Sequence, residues 1–242
     1  MEDTKRFAKL IKESKKIVFF GGAGVSTESG LKDYRSADGI YNTAKNYGMP
    51  PEDILSHDCF FDNTELFYRF FRDFFMCDAK PNFAHKALYE LEKSGRQVSV
   101  VTQNIDGLHQ AAGSSRVYEL HGTVSKLYCT ECGRFYTIDC LNKCENVPKC
   151  TCGGIIKPCV TLYGEMLDQN TVNGAIRAIS EADLMIIGGT SLAVYPAASF
   201  VRYFGGRHTV IINRDITPYD NSATLVFRKP IAEVFKETFE YL

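Results

Sequence analysis

The 242-residue chain is long enough for one large domain or for a large domain carrying a smaller one. With 45% hydrophobic and 24% charged residues it has an ordinary globular composition, and a formal net charge of -1 supplies no overall field to attract nucleic acid or a membrane surface. Met1 to Arg6 has no apolar stretch behind its charges and no run of about 18 apolar residues occurs, so a cytoplasmic protein is expected.

Thr4 is placed to cap a first helix in which Phe7, Leu10 and Ile11 share one face. A strand from Ile17 to Phe20 then runs into Gly21-Gly22-Ala23-Gly24-Val25-Ser26-Thr27. Small residues let a backbone approach a pyrophosphate without Cβ clashes, which is the chemistry of a dinucleotide site. The match to G-x-G-x-x-G is imperfect because Thr27 stands at the third glycine, and an ordinary strand-to-helix turn is the plain alternative. No acidic residue closes a second strand about 20 residues on, where a dehydrogenase would hold its ribose. The turn leads instead to Asp33-Tyr34-Arg35. Ser36 to Ser56, with Pro50-Pro51, has no clear period and reads as a mobile loop of the kind that closes over ligands.

Thr64 opens a helix with an aromatic stripe of Phe67, Phe70, Phe71, Phe74 and Phe75. Such rings are core by default, and the wall of an apolar tunnel in the sharper reading. The next helix, Asn82 to Lys93, stops before Gly95, and His85 on it reads as a surface or capping histidine. Val98 to Thr102 is a β-branched run, buried on both faces if the sheet is parallel. It ends in Gln103-Asn104-Ile105-Asp106-Gly107-Leu108-His109, at the strand end where open α/β sheets bind ligands. A short strand, Val117 to Leu120, delivers His121-Gly122.

From Thr123 to Pro158 the apolar period is lost and cysteines appear, which marks an inserted module. The rhythm resumes with a strand at Val160 to Leu162, a helix from about Asp168 to Ser180 and a strand from Leu184 to Ile187. A second small-residue turn, Gly188-Gly189-Thr190-Ser191, precedes a helix after Pro196. A last buried strand, Thr209 to Ile212, ends in Asn213-Arg214-Asp215, and a helix from about Ile231 closes the chain. Alternating strands and helices with right-handed crossovers predict an α/β fold with a doubly wound parallel sheet.

Nine cysteines, an odd number with four in close pairs, favour metal binding over a disulfide framework. Cys129-Thr130-Glu131-Cys132 and Cys150-Thr151-Cys152 supply four soft ligands for a closed structural zinc site, with free buried thiols as the plain alternative. The second pair is tighter than C-x-x-C, and Cys140 or Cys144 could replace one of its members. His121, after a strand end and before a glycine, is the best candidate for a general base; His109 competes, although packing suits its place better. Thr190 and Ser191 can donate hydroxyls to a phosphate or ribose, and Asn213 ends a strand at the height of adenosine hydroxyls.

Gly22-Ala23-Gly24-Val25-Ser26-Thr27-Glu28-Ser29-Gly30, Asp33-Tyr34-Arg35, Gln103-Asn104-Ile105-Asp106, His121-Gly122, the four-cysteine module, Gly189-Thr190-Ser191-Leu192 and Asn213 stand in one order. In that order they resemble the motifs of the sirtuin family of NAD-dependent protein deacylases, in a single catalytic core of bacterial type. The resemblance runs from about residue 5 to 240 and implies a Rossmann-like large part near 1–35, 81–122 and 159–242. It implies a small part near 36–80, helical and cofactor-binding, and near 123–158, the zinc module.

The resemblance also implies a reaction. The acyl oxygen of an acyl-lysine protein or peptide attacks C1′ of the nicotinamide ribose, nicotinamide leaves, and the acyl group passes to ADP-ribose, so that NAD is consumed. Carried over, Ala23, Thr27, Tyr34 and Arg35 contact NAD, Gln103 and Asn104 hold the ribose and a water, and Ile105 and Asp106 bind the carboxamide. His121 deprotonates a ribose hydroxyl, Thr190, Ser191 and Asn213 hold the phosphate and adenosine part, and Ile231 flanks the adenine. One zinc ion is held by Cys129, Cys132, Cys150 and Cys152. Val160 to Tyr163 resembles the strand beside which the substrate peptide lies.

Departures from the family pattern are Lys32 in place of proline, Tyr34 in place of phenylalanine, and Cys159 in place of aspartate. Family members that favour succinyl groups carry Tyr-x-x-Arg in the helix after the cofactor loop. Here Phe71 stands three after Tyr68, so acetyl or longer apolar acyl groups are expected over succinyl. Rival readings are mono-ADP-ribosyl transfer or NAD hydrolysis in the same groove, and a non-catalytic NAD-sensing or zinc-module interaction protein.

Overall fold

The computed structural model describes residues 2–33, 39–43, 47–76 and 78–242. Helix α1 (Glu2–Glu13) buries Phe7, Leu10 and Ile11 as their spacing predicts. Thr4 is not its cap. The helix already begins at Glu2, whose charge and that of Asp3 complement the N-terminal dipole, and Thr4 is buried inside the first turn.

Strand β1 (Lys16–Gly21) enters two short 3₁₀ turns, Ala23–Val25 and Thr27–Ser29. Where the segment from Ser36 to Ser56 is described it is not an irregular loop, since it holds α2 (Ile40–Thr43) and α3 (Pro51–Ile54). Pro51 at the first helical position and the acidic pair Glu52 and Asp53 start α3, a signal hidden in the sequence by the helix's single turn. Helices α4 (His57–Asp62), α5 (Thr64–Phe75, capped by Asn63) and α6 (Phe83–Lys93) follow. Then come β2 (Gln97–Thr102), α7 (Leu108–Ala112), β3 (Val117–Glu119), β4 (Gly122–Cys129), β5 (Phe135–Thr137), α8 (Asp139–Asn142) and β6 (Ile156–Val160). The chain continues through α9 (Gln169–Ser180), β7 (Leu184–Gly188), β8 (His208–Ile212), β9 (Leu225–Phe227) and α10 (Ile231–Phe239).

Strands β3-β2-β1-β7-β8-β9 form one parallel sheet in that spatial order. Alternation along the strands fills both faces. Phe19, Val100, Ile186 and Val210 pack under α1, α6 and α10, while Phe20, Val101, Ile187 and Ile211 pack with residues of α9 and of a 3₁₀ segment, Ala197–Tyr203. A third cluster joins the aromatic residues of α4 and α5 to a three-stranded antiparallel sheet, β5-β4-β6.

Four sequence expectations change here. The strand expected at Val160 to Leu162 does not belong to the parallel sheet: only Val160 is in a strand, the end of β6, and β6 pairs with β4. Pro158, taken as a boundary, sits within β6 on the edge of its sheet, where a missing N–H is tolerated. The helix after Pro196 is 3₁₀ rather than α. Finally, β8 is not the last strand, because the three residues of β9, too few for a period to show, extend the sheet beyond it.

His85 is capping but not at the surface. Asn82 caps α6, its backbone N–H donating to His85 Nδ1 at 3.3 Å in a capping box, and the His85 ring is fully buried against that of His109, with centroids 4.6 Å apart. Burial pushes both imidazoles below their ordinary pKa; the Asp106 charge partly opposes this at His85, and His85 adds to it at His109.

The folded state therefore holds both rings neutral, while the unfolded chain takes up protons below about pH 6.5. Stability is full above that value and falls as pH drops, by about 1 kcal/mol per pH unit for each histidine within its window. Urea denaturation at pH 7, 6 and 5 should show this fall. His85→Gln, which can keep the capping box without titrating, should remove the His85 share of it and leave that of His109.

Candidate active site

Chain order reverses between β1 and β7, so a crevice opens at their carboxyl ends. Two glycine turns meet there. Gly22 N donates to Gly188 O at 3.2 Å and Gly24 N to Gly189 O at 2.8 Å. A Cβ on Gly24 would stand 2.8 Å from Gly189 Cα, and one on Gly189, at φ +59°, would stand 2.4 Å from Val25 N. Only glycine fits either position. The first turn is also held from outside: Asn82 Nδ2 donates to Val25 O at 2.7 Å and to Ser29 Oγ at 3.0 Å, and Glu28 Oε2 accepts Ala232 N of α10 at 2.9 Å.

Residues after β2 are ordered by a polar network reaching back to that turn. Ser26 Oγ donates to Asp106 Oδ2 at 2.7 Å and accepts from Asn104 Nδ2 at 3.1 Å, while Asp106 Oδ1 accepts Leu108 N at 2.9 Å. With its amide nitrogen engaged by Ser26, Asn104 keeps its carbonyl oxygen for a ligand.

His121 Nδ1 lies 2.9 Å from the Gln103 carbonyl. A carbonyl only accepts, so Nδ1 carries the proton and Nε2 keeps the lone pair a base needs. Burial lowers the His121 pKa and the bond to Gln103 only partly restores it, so the ring is neutral near pH 7. Next to it Gly122 has φ +76°, and a Cβ there would stand 2.0 Å from Cys159 O. The chain can thus bring the histidine against the end of β6.

One cavity of about 520 Å³ collects the residues named from the sequence. Ala23, Thr27, Gln103, Asn104, Ile105, Asp106, His121, Thr190, Ser191, Asn213 and Ile231 all line it. Tyr34 and Arg35 lie outside the described residues. His109 does not line the cavity; it is buried, and its ring nitrogens have no partner among the described residues. The aromatic stripe divides between its two readings: Phe67 and Phe70 are core, Phe71 is buried and also lines the cavity, and Phe74 and Phe75 line it, as do Val160 to Tyr163. Lys32 Nζ stands 5.8 Å from the Phe74 ring centre on that side.

Away from the cavity, the Sγ atoms of Cys129, Cys132, Cys150 and Cys152 lie within 4.8 Å of one another. Cys129 and Cys152 are 3.5 Å apart and Cys132 and Cys150 3.6 Å. Zinc–sulfur bonds of about 2.3 Å at tetrahedral angles require sulfurs about 3.8 Å apart, so the donor set fits a structural zinc ion. A Cβ on Gly154 would stand 2.7 Å from Cys129 Sγ, which is how the tight C-x-C turn closes the cluster. Cys140 and Cys144 are not members of this cluster.

Sequence reasoning passed over Ser26, Asn82, Lys157 and Glu165. Ser26 and Asn82 look like turn and cap residues, and only their long-range bonds reveal more. Lys157 carried a signal, a lone charge inside an otherwise apolar strand, and it is buried beside Glu165.

A family model described as the Sir2 family matches residues 22–196. The chain is 49% identical over 239 residues to an NAD-dependent protein deacetylase of Clostridium acetobutylicum, covering 98% of each, and 43% identical over 240 residues to one of Staphylococcus aureus, covering 97% of each. Among solved structures it is similar to a Sir2 mutant with deacetylated p53 peptide and 3′-O-acetyl-ADP-ribose, at TM-score 0.89, 40% identity and coverage of 98% and 97%. A Sir2–p53 peptide–NAD⁺ complex matches at TM-score 0.87, 39% identity and the same coverage. With the family model spanning well over half its length and relatives this similar end to end, the chain belongs to the Sir2 family, the sirtuins.

Proposed function

We propose that this protein is an NAD-dependent deacylase of acyl-lysine proteins or peptides. The observation that carries the reading is His121, neutral and with Nε2 unprotonated, lining the same cavity as both glycine turns and the aromatic wall. The relatives named NAD-dependent protein deacetylases and the Sir2 complexes with peptide and NAD⁺ support it. NAD, when bound, supplies an electrophilic ribose carbon, nicotinamide as leaving group and ADP-ribose as acyl acceptor.

This chain's residues then have the following work. Ala23 and Thr27 of the first glycine turn receive the phosphates together with Thr190 and Ser191 of the second. Tyr34 and Arg35 join them on the cofactor. Asn213 binds the adenosine hydroxyls and Ile231 packs on the adenine. Gln103 and Asn104 hold the ribose, Ile105 and Asp106 orient the carboxamide, and His121 Nε2 takes the proton of a ribose hydroxyl. Val160 to Tyr163 offers a backbone edge to the peptide, and Phe71, Phe74 and Phe75 wall the acyl chain.

Cys129, Cys132, Cys150 and Cys152 hold one zinc ion, whose four thiolates leave no open position for catalysis. A large part near 1–35, 81–122 and 159–242 and a small part near 36–80 and 123–158 describe the division of labour, cofactor frame against zinc module and acyl wall. Among the described residues no helix is long and apolar enough to cross a membrane. A reducing compartment, the cytoplasm, suits four thiols gathered as metal donors.

With an acetyl-lysine peptide and NAD, the protein should release nicotinamide and form O-acetyl-ADP-ribose, seen by mass spectrometry; ADP-ribose alone would mean hydrolysis instead. His121→Ala should lower kcat/KM by about 10²–10⁴ with zinc content unchanged. Because the unprotonated ring is the active form and its pKa is lowered, the acid limb of the wild-type kcat/KM profile should lie below about pH 6.5.

Acyl preference follows from the wall. Phe71 puts an apolar ring where the succinyl-preferring pattern has an arginine, so succinyl-lysine peptide should turn over at least tenfold more slowly than acetyl-lysine peptide, as parallel kcat/KM measurements would show.

Cys129→Ser should release zinc, measured by elemental analysis, and lower the Tm, because metal binding is coupled to the folding of the module.

A further inference from the structure

One buried charge lies outside the roles assigned so far. The side chain of Lys157, on β6, is 4% exposed, and its ammonium lies 5.8 Å from the Phe60 ring centre and 5.9 Å from that of Tyr128. It donates to Val160 O at 3.1 Å and to Glu165 Oε2 at 3.0 Å. An ammonium so placed is costly unless paired, and Glu165 is the carboxylate that pairs it.

Glu165 has two further partners, each from a different place in the fold. Oε2 also accepts Leu162 N at 2.9 Å, and Oε1 meets Nδ1 of the half-exposed His57, on α4, at 3.1 Å. Burial alone would raise its pKa, yet the Leu162 N–H, His57 and Lys157 together hold the carboxyl below its ordinary value. One ionised group thus ties β6, α4 and the segment that follows β6.

That segment is the backbone edge assigned to the peptide, and Glu165 determines how much of it is available. Glu165 N also donates to Leu162 O at 3.0 Å, so both main-chain groups of Leu162 are satisfied by this one residue. Thr161 N donates to His121 O at 2.9 Å, Tyr163 N to Leu55 O at 3.0 Å, and Tyr163 O accepts His57 N at 2.8 Å. The Thr161 carbonyl is left as an acceptor without a partner among the described residues, on the same residue whose N–H fixes the wall to His121.

We propose that Glu165 is the positioning residue of the peptide wall: paired to Lys157 and bonded to Leu162 N–H and His57, it fixes Thr161 to Tyr163 relative to His121 so that acyl-lysine peptides bind in register. This rests on the deacylase reading. Glu165 acts through the backbone it holds. The cofactor side is framed by other bonds, from Asn82, Glu28 and the paired glycine turns, so loss of Glu165 falls on the peptide and spares NAD.

Glu165→Gln keeps the shape and removes the charge. Binding of a fluorescent acetyl-lysine peptide by anisotropy and of NAD by calorimetry, followed by the KM of each, should show the peptide Kd and KM raised on the order of tenfold. The NAD values should stay within about twofold and the zinc content should not change. Should the lone ammonium unfold this variant, Lys157→Met with Glu165→Gln removes both charges and should show the same selective loss. Lys157→Arg, which keeps a cation, should restore most of the peptide affinity lost in Lys157→Met. Equal weakening of peptide and NAD, loss of zinc in every variant, or unchanged peptide affinity in Glu165→Gln would overturn the proposal. A wild type that binds the peptide without turnover would overturn the deacylase reading and leave the positioning role intact, whereas one that binds no acetyl-lysine peptide would end both.

Discussion

The site depends on backbone meeting backbone at the reversal point of the sheet. Gly22 and Gly24 donate to Gly188 and Gly189 across the carboxyl ends of β1 and β7, at distances that leave no room for a side chain. Because the two turns are locked to each other, both loops line one crevice rather than two. The apolar strands behind them, buried on both faces, make that crevice rigid. The cofactor frame is therefore set by packing that involves no catalytic residue.

Upon that frame the polar groups are arranged in pairs that fix each other's chemistry. Gln103 O determines which nitrogen of His121 is protonated, and Ser26 determines which way the Asn104 amide faces. Asn82 does two things at once, capping α6 through His85 and holding the first glycine turn through Val25 and Ser29. Neutral His85 accepts the Asn82 N–H at Nδ1, and protonation of that nitrogen would break the cap that Asn82 shares with the turn.

Much of this was legible in the sequence, and the reasons are local. Ile17 to Phe20, Val98 to Thr102 and Leu184 to Ile187 are long enough and apolar enough to announce a doubly wound sheet, and the Gly/Ser/Thr turns after the first and the last of them announce a nucleotide. Likewise the spacing of Cys129, Cys132, Cys150 and Cys152 describes the metal cluster the fold assembles. What the sequence hid was short or long-range. The single turns of α2 and α3 and the three residues of β9 are below the length at which a period shows. Ser26 with Asp106 and Lys157 with Glu165 are interactions between positions whose proximity only the fold creates. The aromatic stripe of α5 was ambiguous for a physical reason: it is core on one edge of the helix and cavity wall on the other.

A four-thiolate metal site without an open position still bears on the chemistry, through the sheet it stabilises. Three strands, of which β5 has only three residues, make a marginal structure unless a cluster or a metal holds them. Here the aromatic plate of α4 and α5 covers one face, Tyr68 reaching the Ile156 carbonyl, and the cysteines clamp the far end. The sheet so held presents β6, and β6 leads straight into the segment bonded to His121. Zinc held there, away from the cavity, would keep fixed the strand that leads to the segment bonded to His121.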